Sequence, residues 1–128
     1  MNGRMAKAAR RALRERNEQL LAAIRDAEPV FQEAHGRAWE SWTKGPAMLF
    51  VPILCDDYSP ELKEMVVVRR QAAFTGACPC GAVGRITEAG SYDMPHESGC
   101  PAAAGVFQAL HQAGRWRPDM AGGVNVQG

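Results

Sequence analysis

Two cysteines one residue apart, a histidine and a third cysteine constrain this chain more than anything else in it. They read Cys78-Pro79-Cys80-Gly81, then His96, then Cys100-Pro101, a C-x-C-x15-H-x3-C pattern. Thiolate and imidazole suit a borderline-soft divalent cation, and four such donors complete a tetrahedron at about 2.0–2.3 Å. A chain that brings them together must fold back on itself between residues 78 and 100. The local sequence favours this. A tight Pro/Gly turn aims two thiolates at one point, and Gly81 permits the backbone angle that such a turn needs. Pro101 directly after Cys100 places the last ligand at the start of a helix, where orphan N–H groups and the dipole favour thiolate.

The expected cofactor is one structural Zn²⁺ held by Cys78, Cys80, His96 and Cys100. Four good donors favour a closed site over a catalytic one, which keeps a position open. The bland alternative is a set of free buried cysteines with His96 at the surface. Iron–sulfur clusters usually take four thiolates. Cys55 could replace His96 in such a set, but it ends an apolar run and reads as a small buried residue. Zinc deaminases carry H-x-E and P-C-x-x-C; here the chain has His96-Glu97-Ser98 and no C-x-x-C. His35 and His111 read as packing or surface residues, and Asp56-Asp57 as a turn.

The rest of the chain sets the frame. Its 128 residues are 46% hydrophobic and 23% charged, which suits one domain, or a small domain with an appendage, and excludes wholesale disorder. The longest apolar run, Ala47 to Cys55, is interrupted by Pro52 and falls far short of the ~18 residues of a membrane span. The charged N-terminus has no apolar segment behind it. Four cysteines without an export signal favour thiols or a metal over disulfides. The expected location is the cytoplasm, or the inside of a phage particle, with no membrane contact.

Residues 4–27 predict a helix, rich in Ala, Arg, Leu, Glu and Gln and free of Gly and Pro. Met5, Ala9, Ala12 or Leu13, Leu20, Ile24 and Ala27 form its apolar stripe. After Pro29 the apolar positions Phe31, Ala34, Ala38, Trp39 and Trp42 predict a second helix over 29–42. Leu20, Ile24, Ala27, Phe31, Ala34 and Ala38 keep a coiled-coil-like spacing across the break. Residues 47–55 predict an edge or bulged strand because of Pro52. Ser59-Pro60-Glu61 predicts a helix start. The β-branched run Val66-Val67-Val68 then predicts a strand over 65–74, with a continuous helix from Pro60 as the alternative. Residues 82–87 and 91–94 predict a hairpin around Glu88-Ala89-Gly90, and 101–113 a last helix. From Trp116 the chain reads as a tail.

Knuckle, hairpin and a ligand at a helix start, in that order, resemble the treble-clef class of zinc fingers over residues 74–113. Cys78-Pro79-Cys80-Gly81 also looks like the opening of SEC-C zinc motifs, whose following cysteines this chain lacks. The treble-clef resemblance implies a structural metal and a recognition surface, and no reaction. The fold class expected is α+β: an N-terminal helix or helix pair, a small β-sheet and a treble-clef-like finger ending in a helix. The divisions expected are a helical region with a basic arm at 1–45, a zinc-binding domain at 46–114 and a flexible tail at 115–128.

Charge is unevenly spread. The first 16 residues hold six bases and one acid, whereas the remainder holds nine bases and thirteen acids. Arg4, Lys7, Arg11 and Arg14 step along one helical face, and Arg10 widens it. A basic arm on a mildly acidic body points to a polyanionic partner, and arginine suits bidentate phosphate contacts. The function expected is non-enzymatic: a small zinc-binding adaptor that contacts nucleic acid, or a nucleic-acid machine, through Arg4, Lys7, Arg10, Arg11 and Arg14. The alternative is a structural component of a large assembly such as a phage virion, with protein neighbours as partners. A zinc hydrolase or nuclease comes third. No small-molecule substrate is expected, and the Ala/Arg/Gly-rich composition suits bacteria or their phages.

Overall fold

In a computed structural model, which describes residues 3–103 and 105–115, the first helix forms as the composition dictates. Helix α1, Gly3–Asp26, has Ile24 as its buried residue. At 1.5 Å per residue it is about 36 Å long. Residues 3–16 are exposed apart from half-buried Ala6, so the helix is attached to the body through its last turns.

The attachment is specific. Lys44 is 4% exposed, and its ammonium donates to the carbonyls of Ile24 and of Arg25, the latter at 2.8 Å. A cation satisfying the last carbonyls of a helix also opposes the negative end of its dipole. Beside it, Gly45 at φ +58° brings its Cα so close to α1 that a Cβ would lie 2.9 Å from the Ala23 carbonyl oxygen.

The second helix expected over 29–42 does not form. Strands β1, Pro29–His35, and β2, Trp39–Lys44, make an antiparallel hairpin there, extended by β3, Ala47–Pro52, in the order β1-β2-β3. The coiled-coil-like seam ends with α1. Apolar residues at 31, 34, 38, 39 and 42 fit a helix in number, but they also supply cross-strand pairs. Phe31 lies opposite Trp42, with ring centroids 5.5 Å apart, and His35 stacks on Trp39 at 4.2 Å. Gly36, at φ 68°, turns the chain between the strands. Pro52 ends β3 at the sheet edge, where its missing donor costs nothing.

Alternate residues of β3 enter two cores. Phe50 joins Trp39, Tyr58, Leu62, Val66, Val106, Phe107 and Leu110 on one face. Ala47, Leu49 and Val51 meet Ile24 and Ala73 on the other. Strand β3, buried on both faces apart from Met48, thus needs apolar residues at successive positions.

The strand expected over 65–74 is helix. Helix α2, Pro60–Thr75, is N-capped by Ser59, whose hydroxyl accepts from the Leu62 N–H at 3.2 Å, and it ends at Gly76 in the left-handed region, φ 81°. Leu62, Val66, Arg69 and Ala73 are buried at helical spacing. The capped, proline-initiated first turn and the burial of Val66 on a helical face outweigh the small helix penalty of the valine run.

The expected hairpin is present as β4, Arg85–Ile86, and β5, Tyr92–Asp93. Helix α3 spans Gly105–Gln112 and does not start at Pro101; residues 101–103 form a turn. The chain is thus α+β, with three helices, a three-stranded and a two-stranded antiparallel sheet among the described residues. The tail from Trp116 lies outside them. Arg115 lies within them and pairs with Asp57.

Candidate metal centre

The C-terminal end of α2 delivers the chain into a stapled loop. The Cys78 N–H donates to the Ala82 carbonyl at 2.8 Å, the Gly81 N–H to the Cys78 carbonyl at 2.9 Å, and the Gly84 N–H to the Gly76 carbonyl at 3.0 Å. Gly81 adopts φ 98°, as the turn requires. At the other end, the Cys100 N–H donates to the Glu97 carbonyl at 2.9 Å and so fixes a turn between His96 and Cys100.

These two turns bring the four residues together. The donor atoms of Cys78, Cys80, His96 and Cys100 all lie within 4.8 Å of one another. Cys78 Sγ is 3.5 Å from Cys100 Sγ, and His96 Nδ1 is 3.7 Å from Cys80 Sγ and 3.8 Å from Cys100 Sγ. A disulfide needs about 2.05 Å, and all four cysteines are free thiols. A tetrahedron with bonds of about 2.3 Å has edges of about 3.8 Å. The spacing therefore fits four donors around one ion. The group can hold a metal ion, and its donor set is consistent with zinc. Cys55 stays outside it, packed against the main core with its Sγ 3.9 Å from the Arg37 carbonyl oxygen.

The surroundings treat the sulfurs differently. The backbone N–H groups of Glu97 and Ala82, and then His96, hold the Cys80 thiol down to about 6. The Ala102 N–H donates to Cys100 Sγ at 3.3 Å. Burial instead pushes Cys78 up to about 11, so a cation must displace its proton. With Nδ1 facing the sulfurs, His96 Nε2 is buried without a hydrogen-bond partner among the described residues. A surface cleft of about 470 Å³ bordered by Glu64, Val68 and Glu97 opens onto Cys80 and Cys100 and offers an entry path.

The centre is welded to the body. Ala72 of α2 packs with Cys78, Ala82, Met94 and Ala102 in a third apolar cluster. Arg69, also from α2, donates from Nη1 to the Ala102 carbonyl at 2.7 Å, and its Cζ lies 4.7 Å from the Phe107 ring centroid. Burial pushes its guanidinium down to about 10, opposed by the Cys100 sulfur, which leaves it charged at neutral pH. Neither Arg69 nor Lys44 stood out in the sequence. A strand over 65–74 would put Val66 and Arg69 on opposite faces, whereas helix α2 puts Arg69 on one buried face with Leu62 and Val66.

The other residues singled out lie apart. Arg4, Lys7, Arg10, Arg11 and Arg14 are exposed on α1, and no ion pair among the described residues involves them. His35 is held by the Ser41 hydroxyl at 2.9 Å and by the Trp39 ring. His111 is exposed on α3, outside the metal group. No helix of the described residues is long and apolar enough to cross a membrane. A turn, the β4–β5 hairpin and α3 follow one another in the expected order, but Cys100 precedes a turn and α3 begins at Gly105, so the helix start does not carry the fourth ligand and the treble-clef arrangement is not shown. No protein-family model, curated protein or solved structure matches the chain.

Proposed function

We propose that this is a non-enzymatic binding protein whose structural zinc stabilises a small body and whose basic helix engages a polyanion, either nucleic acid or a nucleoprotein machine. The supporting observation is the five-residue basic face of α1, exposed and without ion pairs among the described residues. Unneutralised arginines along a helix release counterions when they meet phosphates, and that gain is largely independent of sequence. The three thiols and one imidazole supply the number and type of donors that a closed tetrahedral site takes, which supports a structural ion.

Titration of the full chain with random duplex DNA and with single-stranded RNA, at about 50 and 200 mM salt, tests this reading. Binding that falls steeply with salt is expected. Absence of binding to both at the lower salt overturns it.

A second reading has its own support. Met5 is 59% and Leu13 47% exposed on the same helix, and apolar residues at helical spacing suit a groove on a protein neighbour. In that case the protein is a structural component of a larger assembly, and α1 docks on an adjacent subunit. Loss of a co-purifying protein on Leu13→Asp, with no nucleic-acid binding by the wild type, favours it.

A further inference from the structure

Arg69 presents an unresolved charge. It is 6% exposed, and none of the ion pairs among the described residues includes it. Its Nη1 meets the Ala102 carbonyl and its Cζ the Phe107 ring, while Nε has no hydrogen-bond partner among the described residues. A carbonyl and a ring attract a cation, but neither carries a formal negative charge. A buried cation without a counter-charge is costly. Three thiolates and a neutral imidazole around a divalent ion leave one net negative charge. That charge would lie close by, because Ala102 joins the two groups. Its carbonyl takes the Arg69 hydrogen bond, and its N–H donates to Cys100 Sγ at 3.3 Å.

We propose that Arg69 is the charge-compensating and positioning residue of the metal centre: its guanidinium offsets the net negative charge of the loaded Cys₃His site and holds Ala102 so that its N–H stays on the Cys100 sulfur. The proposal rests on the metal reading of Cys78, Cys80, His96 and Cys100. It accounts for a buried arginine where an aliphatic residue would pack at lower cost. It also places the device on α2, which carries no ligand, so that the helix and the centre stabilise each other. Groups that orient metal ligands from outside the coordination sphere commonly change affinity by about 10–100-fold when removed.

The test is metal titration of the full-length chain and its Arg69→Met, Arg69→Lys and Val66→Ala variants. Co²⁺ uptake is followed by thiolate-to-metal charge-transfer absorption, and Zn²⁺ affinity by competition with a chelator. Val66 is a buried α2 neighbour whose truncation removes stability by packing alone. Arg69→Met is expected to weaken Zn²⁺ by about 10–100-fold and to shift the charge-transfer band. Arg69→Lys should stay within about threefold of the wild type, and Val66→Ala should leave the band in place. Wild-type affinity in Arg69→Met overturns the proposal, as does an equal loss and equal band in Val66→Ala. Should Arg69→Met fail to fold, Arg69→Lys decides: a loss beyond about tenfold overturns charge compensation. A wild-type chain that takes up neither Co²⁺ nor Zn²⁺ overturns the metal reading itself, an outcome distinct from a variant-specific null.

Discussion

At the scale of single residues, Cys78 and Cys80 share one turn and have opposite chemistry. Cys80 is held near 6 by N–H groups aimed at its sulfur, whereas burial holds Cys78 near 11. At pH 8 the first is already thiolate and the second is still a thiol. Loading a divalent ion therefore displaces the Cys78 proton, and affinity rises with pH. Zn²⁺ added to metal-free protein at pH 8 in weak buffer should release at least about one proton per ion, read with an indicator dye; no release contradicts this assignment. In the metal-free chain the sign for Cys80 is that of a depressed acid. Its contribution is full above the unfolded value of about 8.5 and is lost as pH falls through about 6. Gly84 matters for another reason. A Cβ there would sit 2.2 Å from the Tyr92 hydroxyl oxygen, so Gly84→Ala should displace the ring and destabilise by about 1–3 kcal/mol. Thermal unfolding of the variant checks this.

At the scale of elements, the attachment of α1 rests on the hairpin turn below it. Lys44 is buried, yet its ammonium is satisfied by two helix-end carbonyls. Lys44→Met keeps the stem and removes the charge. It should destabilise by about 1.5–3 kcal/mol, the range for hydrogen bonds to charged groups, with increased amide exchange concentrated in the last turn of α1 and in β2–β3. Exchange unchanged in those segments would falsify the capping role. Elements were legible where a local signal had no rival. The uninterrupted helix-forming run predicts α1, and Ser59-Pro60 predicts the start of α2. They were illegible where the local spacing pointed the wrong way. Phe31, Trp39 and Trp42 fit helical spacing, but in the hairpin Trp39 and Trp42 enter cores on opposite faces of the sheet, and only their partners across it make the strands the better choice.

At the scale of the molecule, the metal centre and α1 occupy different parts of the architecture. The centre shares an apolar cluster with α2 through Ala72, whereas α1 meets the body at Ile24 and Lys44. Cys100→Ala should abolish tight metal binding and loosen residues 75–113, since the metal-binding free energy of order ~10 kcal/mol is coupled to folding. Helix α1 contributes no ligand and should keep most of its helical signal in circular dichroism. Equal thermal stability before and after chelation of the wild type contradicts a structural metal. The basic face behaves independently. Neutralising Arg4, Lys7, Arg11 and Arg14 together should flatten the salt dependence of nucleic-acid binding by up to ~4 units of slope. It should change the melting temperature little, because exposed charges contribute little to stability.

The four metal-binding candidates, the long first helix and its basic face are all readable from the sequence, because each depends on residue type and short-range spacing. Donor chemistry names Cys78, Cys80, His96 and Cys100 before any fold is known, and the turns at both ends with the hairpin between them gather them. The hairpin over 29–44 and the helical state of Val66-Val67-Val68 were decided by tertiary structure. In each case local preference was weak or ambiguous, and burial against distant residues supplied the larger free energy. The same holds for Arg69 and Lys44. Their roles come from a carbonyl 33 residues away for the first and carbonyls 19 and 20 residues away for the second, and no local pattern in the chain encodes such a pairing.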